Sequence, residues 1–185
     1  MKRDHSDSLN MKLQVAIQPN IGLDSVARHS VVEILNHILA DEAVLSMKTR
    51  SALWNVHGAG FDDRHTFFDL QYKQLSNISE EIAERAQVLG GLPIGSFEEF
   101  LKYTRMDEQP GEVPDMMDLL ADHEAAIRYL REEAKKCSEE YEDEVTCAFL
   151  VDILCQQEKM AWRLRSYFEF EKAHGESQEN KVQST

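Results

Sequence analysis

Four side chains in one stretch of chain have the types and spacing to hold a metal ion: His65, Asp69, Glu80 and Glu84. His65/Asp69 and Glu80/Glu84 are each four residues apart, so on a helix each pair shares a face. At about 100° per residue, all four fall within an arc of roughly 100°. Imidazole nitrogen with carboxylate oxygen is a donor set that suits iron, manganese or zinc. Yet His65 and Glu80 stand about 22 Å apart along a helix axis, so one straight helix cannot bring both pairs to one ion. A two-fold axis near Gln74 and Leu75, pairing the helix antiparallel with its own copy, would set His65 and Asp69 of one subunit against Glu80 and Glu84 of the other. Two equivalent interfacial sites would result. The competing reading is a solvated helix face, the common fate of charged residues at this spacing. An intrasubunit di-metal bundle would need Glu-x-x-His on two helices. The single match, Glu171 to His174, falls in a polar tail.

The elements that must position these residues are helical. From about Asp24, with Asp24 or Ser25 able to act as a cap, Val31, Leu35, Ile38, Leu45, Ala52 and Val56 recur at helical steps, and the pattern ends near Asn55 to Gly58. A second pattern spans about 62–89, with Phe68, Leu75, Ile82 and Leu89 at every seventh position, closed by Gly90-Gly91 and Pro93. Ser96 and Glu99 make a capping-box pattern for a short helix to about Tyr103. Pro114 suits the first turn of a third long helix, striped by Met116, Leu120, His123, Ile127, Leu130, Ala134 and Cys137. A fourth carries Leu150, Ile153, Gln157, Met160, Leu164 and Tyr167. The expected fold is all-α: a four-helix bundle with a short extra helix in the long connection between the second and third long helices. Residues 1–24 are expected to be an arm, 25–172 the bundle domain and 173–185 a disordered tail.

The bulk composition narrows the function. The 185 residues suit one domain, 42 % hydrophobic and 29 % charged, with net charge −14. So acidic a chain is poorly suited to coating nucleic acid and compatible with attracting cations. No apolar run is long enough for a membrane span, and no apolar stretch follows the N-terminal charges as a secretory leader requires. Three cysteines without CxxC spacing fit free thiols in a reducing compartment, so a cytoplasmic location is expected.

The run Lys48-Thr49-Arg50-Ser51-Ala52-Leu53-Trp54-Asn55-Val56-His57-Gly58, followed by Phe61, His65, Phe68 and Asp69, resembles the signature of the Dps family of ferritin-like proteins. Glu80 to Arg85 and Leu89-Gly90-Gly91 match its next block. Asp122-His123-Glu124 and Glu158 to Trp162 are later echoes, and the resemblance covers about residues 30–170.

That resemblance implies a ferritin-like bundle assembled as a hollow dodecamer. It implies a ferroxidase that oxidises Fe²⁺ with hydrogen peroxide or dioxygen at the two-fold interface and stores the ferric product, protecting against oxidative damage. Other divalent metals could occupy the same ligands. Carried over position by position, His65 and Asp69 come from one subunit and Glu80 and Glu84 from its mate. The family usually has Asp at the position of Glu80. Trp54 would lie beside the site, where family tryptophans take up oxidising equivalents; its other role is packing. Leu53 departs from the family pattern, in which a ligand His precedes the Trp. His57 is the nearest substitute, while His123 is expected to be a core histidine. Glu139 and Glu144, in an acidic cluster that also holds Glu140, Glu142 and Asp143, are candidates for lining a three-fold pore, with Asp152 further on. Ala148 stands where the family often has another acid.

Three alternatives remain open. The chain could form a cage that holds metal with weak or no oxidation, because Leu53 removes a ligand. It could coat DNA as some family members do, but the first 24 residues are neutral and residues 171–185 set two Lys against three Glu, which speaks against direct DNA binding. It could be a purely structural helical assembly.

Overall fold

A computed structural model of the chain describes the backbone of residues 17–182 and the side chains of residues 17–169. Five helices follow one another, and no strand occurs among the described residues: α1 (Ser25–Trp54), α2 (Phe61–Val88), α3 (Phe97–Tyr103), α4 (Met116–Glu139) and α5 (Glu144–Val182). The four long helices form two helical hairpins, α1 with α2 and α4 with α5. α1 also packs on α4, and the short α3 packs on α1.

The helix boundaries follow from local chemistry. Asp24 caps α1, its Oδ1 accepting from the amides of Val26 and Ala27 at 2.7 and 2.9 Å. A side-chain oxygen is needed there because the first-turn N–H groups have no partner within the helix. Ser96 and Glu99 form the expected capping box on α3. Pro114 is not in the first turn of α4: Asp115 takes the cap, in a reciprocal box with Asp118, and Pro114 lies one residue outside. Asp offers the oxygen that a cap needs, and proline offers none. α2 ends where Gly90 turns left-handed at φ +83°, so that the Gly91 amide can reach the Ala86 carbonyl at 3.0 Å. α5 continues through Val182, past the expected start of a disordered tail at 173. The segment has no proline, and its Glu, Gln and Lys residues are good helix formers. Most of the expected N-terminal arm, residues 1–16, lies outside the described residues.

The expected apolar stripes meet in one core. Val31, Leu35, Phe68, Leu75, Ile82, Leu130, Leu150 and Met160 are all buried. Polar groups lock the hairpins together. Arg85, near the end of α2, donates to Asp143 at 3.2 Å and to Thr146 Oγ1 at 2.9 Å, at the start of α5. Arg105 donates to both Asp41 on α1 and Glu133 on α4, fixing the connection that follows α3.

Candidate metal centre

α2 positions the four expected ligands. Its buried face carries Phe68, Gln71, Leu75, Ile78 and Ile82. His65, Glu80 and Glu84 are exposed and Asp69 is partly exposed, on a face that turns away from that core. Alternation at helical period produces this division: the same turns that bury Leu75 and Ile82 direct the acids outward. Gly60 in left-handed conformation starts the helix, with Asp62 and Asp63 in its first turn.

Within one chain the two pairs remain at opposite ends of α2. Among the described residues, no group of three or more His, Cys, Asp or Glu is gathered closely enough to hold a metal ion. The four positions are placed symmetrically, however. His65 and Glu84 are equidistant from the midpoint between Gln74 and Leu75, and so are Asp69 and Glu80. His65 stacks against Phe61 at 5.4 Å between ring centroids. Asp69 is held by Lys73, one turn on, at 2.6 Å. Large apolar side chains flank this face uncovered: Trp54, Phe61 and Leu70 are 65 %, 45 % and 55 % exposed.

The Lys48-Thr49-Arg50 run resolves into separate tasks. Lys48 is buried, paired with Asp122 at 2.5 Å and donating to the Asp107 carbonyl at 3.1 Å, so it ties α1 to α4 and to the long connection. Thr49 is fully buried. Arg50 is partly buried between two aromatic rings, 4.8 Å from the centroid of Trp54 and 5.1 Å from that of Tyr72. Leu53 packs into the core beside Ala52 and is only 9 % exposed. His57 sits in the α1–α2 loop, its Nδ1 2.8 Å from the Asn55 carbonyl, on the rim of a cleft of about 310 Å³ shared with Arg64, Phe68 and Met116.

Of the acidic cluster after α4, Glu139, Glu140, Glu142 and Glu144 are exposed. Glu139 pairs with Lys135 at 3.7 Å, and Glu144 accepts from Ser138 at 2.8 Å. Asp152, about two turns into α5, is exposed as well. Asp143 belongs to a different category: it is buried, bound by Arg85, and caps α5 through the Thr146 amide at 2.9 Å.

A buried polar layer at the centre of the bundle was not legible as such in the sequence. Glu42 on α1 receives the Gln157 amide of α5 at 2.7 Å on both oxygens, and the Gln157 carbonyl lies 2.5 Å from His123 Nδ1 on α4. Gln71 on α2 donates to the Met160 carbonyl at 3.3 Å. Burial pushes the Glu42 carboxyl up to about 8, and Asp41 adds to the effect. Burial pulls His123 down to about 4, so the ring is neutral. His123 is thus a core histidine, as expected, but it is satisfied through one nitrogen only: Nε2 has no protein partner among the described residues, nor does Gln71 Oε1. The apolar stripes containing His123 and Gln157 were visible in sequence; a polar residue inside each stripe was the available signal. The three cysteines are free, with Cys137 buried and Cys155 exposed.

Comparison with known proteins agrees with this architecture. The ferritin-like domain family model matches residues 32–173. A low temperature-induced protein of Nostoc, itself uncharacterised, is 38 % identical over 154 residues, covering 81 % of this chain and 86 % of its own. DNA protection during starvation protein 2 of Bacillus anthracis is 31 % identical over 140 residues, covering 74 % and 95 %. The crystal structure of the Dps protein of Vibrio cholerae O1, described as a member of a broad superfamily of ferritin-like diiron-carboxylate proteins, superposes with TM-score 0.75 at 29 % identity, over 83 % of this chain and 98 % of that one. With the all-helical bundle, the short helix in the long connection and these relatives together, the chain belongs to the Dps branch of the ferritin-like family.

Proposed function

We propose that this chain is the subunit of a hollow, dodecameric shell that binds Fe²⁺ between two antiparallel copies of α2. There it oxidises the ion with hydrogen peroxide or dioxygen and stores the ferric product inside. The mirrored placement of His65/Asp69 and Glu80/Glu84 on one outward face of α2 carries this reading. A two-fold axis through the helix midpoint completes a one-imidazole, three-carboxylate set twice over, and each subunit alone holds only half of each. The exposed Trp54, Phe61 and Leu70 alongside supply apolar area for such a contact.

The donor set accounts for the chemistry. His65 gives the borderline Fe²⁺ a nitrogen ligand, and the three carboxylates favour the harder Fe³⁺ product, which lowers the cost of removing an electron. Exposed Glu139 and Glu144 at the α4–α5 turn draw cations toward the shell. Because Leu53 is committed to the core, each site lacks one nitrogen donor, and one tightly held iron per site is the expected occupancy. The same observation supports a second reading, a metal-holding cage with slow oxidation. No helix of the described residues is long and apolar enough to cross a membrane.

The test combines light scattering with iron kinetics. The reading requires a shell far larger than a dimer, with Fe²⁺ oxidation that falls steeply in Glu84→Ala. A monomer or isolated dimer at micromolar concentration, or an unchanged rate in Glu84→Ala, removes the site assignment. A shell that binds Fe²⁺ tightly but oxidises it no faster than buffer selects the cage.

A further inference from the structure

The cleft of about 310 Å³ at the α1–α2 end of the bundle has an apolar wall. Val56, Phe68, Val113, Met116, Met117 and Phe168 line it, and Val113, Met117 and Phe168 are 51 %, 46 % and 39 % exposed. Apolar surface rimmed by polar residues such as His57 and Arg64 marks a contact site. The chain's own C-terminal segment does not fold back over it, because α5 runs on as a helix through Val182.

The sequence holds a segment of matching pattern. Leu9, Met11, Leu13 and Val15 alternate with Asn10, Lys12 and Gln14, so in extended form the segment has one apolar edge. It joins the described structure at the far end of α1, where Gln18 accepts from Arg28 at 3.4 Å and Pro19 packs against Gly90. α1 is about 44 Å long, whereas the chain from Ile17 back to Leu9 spans at most about 29 Å. The segment therefore cannot reach the cleft of its own subunit.

Antiparallel pairing of α2 removes that distance. From the midpoint between Gln74 and Leu75, Gly90 lies about 23 Å toward one end of α2 and Phe61 about 20 Å toward the other. A two-fold axis there sets Pro19 of one subunit level with the start of α2 in the other, beside Arg64 and Phe68 at the cleft. What remains is one or two helix widths, about 10–20 Å, which about four to six extended residues cover. That count from Ile17 ends on Leu13 and Met11. We propose that residues 9–16 of each subunit cross to the two-fold partner and seat Met11 and Leu13 in its cleft, a reciprocal strap over the ligand-bearing interface. Lys12, on the polar edge, then meets the acidic first turn of α2, where Asp62 and Asp63 are exposed. The strap rests on the pairing of α2 given above.

The assembled full-length protein with p-benzoylphenylalanine in place of Leu13 tests this. Irradiation gives a covalent dimer on a denaturing gel and nothing larger, because the exchange is reciprocal within one pair. Peptide mass spectrometry puts the link at residues 113–117 or Phe168. Met117→Lys in the labelled protein cuts the yield by about fivefold or more, since it sets a charge against an apolar side chain. A link within one chain, a ladder beyond the dimer, a dimer joined outside the cleft, an undiminished yield in Met117→Lys, or no link at all overturns the strap. The pairing of α2 is read separately through the Glu84→Ala kinetics, so failure of the strap alone leaves that reading in place.

Discussion

The Glu42 carboxyl group lies 2.7 Å from the Gln157 amide nitrogen, joining α1 to α5 across the centre of the bundle with both side chains essentially inaccessible to water. A lone amide is a weak partner for a buried anion, so the folded protein holds Glu42 as the neutral acid up to about pH 8.

Stability should therefore depend on pH. Between its ordinary value of 4.5 and about 8, Glu42 binds a proton in the folded state that it loses on unfolding, so this group makes stability fall as pH rises. His123, held down to about 4 from 6.5, acts oppositely: between those values the unfolded state binds the extra proton, and stability rises with pH. The two effects offset each other from about 4.5 to 6.5. Above 6.5 Glu42 acts alone, and a loss of about 1–2 kcal/mol by pH 8 is expected. Melting temperatures at pH 6.5 and 8 check this; Glu42→Gln, which cannot titrate, should flatten the difference.

Leu53→His should speed Fe²⁺ oxidation and lower the melting temperature together. The side chain is part of the core, and replacing a buried leucine by a polar ring costs about 2–3 kcal/mol. The imidazole restores the donor that the site lacks. Stopped-flow oxidation rates alongside thermal melts measure both effects, and a melt that drops without any gain in rate would show that residue 53 does not reach the metal.

Lys73→Met should tighten Fe²⁺ binding. Lys73 neutralises Asp69 at 2.6 Å and must release it before the carboxylate can ligate. Because Lys73 is well exposed, water screens the pair and the gain should be modest, about two- to fivefold. Anaerobic titration calorimetry reads the affinity directly, and unchanged or weaker binding would argue against Asp69 as a ligand.

Gly91→Ala should destabilise the chain without touching the candidate site. A Cβ at residue 91 would stand 2.4 Å from Cγ1 and 2.6 Å from Cγ2 of Val32. Val32 is branched and buried on α1, so it cannot swing aside, and overpacking of about 1–3 kcal/mol is expected. Chemical denaturation measures the loss, and the oxidation rate at low temperature should match wild type.

The helices and their inward faces were legible in the sequence because periodicity is a local property. The heptad spacing of Phe68, Leu75, Ile82 and Leu89 dictates one buried stripe whatever packs against it, and Asp24 and Ser96 mark their helix starts by chemistry that acts within three residues. The ligand candidates on α2 followed from the same arithmetic, as the complement of that stripe. Tertiary structure alone decided the pairings between residues distant in the chain. Asp143 looks like one more acid in an acidic turn, but the arrival of Arg85 from α2 buries it. Glu42, His123 and Gln157 are unremarkable on three separate helices and become one hydrogen-bonded layer only when α1, α4 and α5 converge, where burial shifts both titrating groups. Arg50 acquires its two rings in the same way: Trp54 is one turn away on its own helix, but Tyr72 arrives from the next helix, and no local spacing encodes that approach.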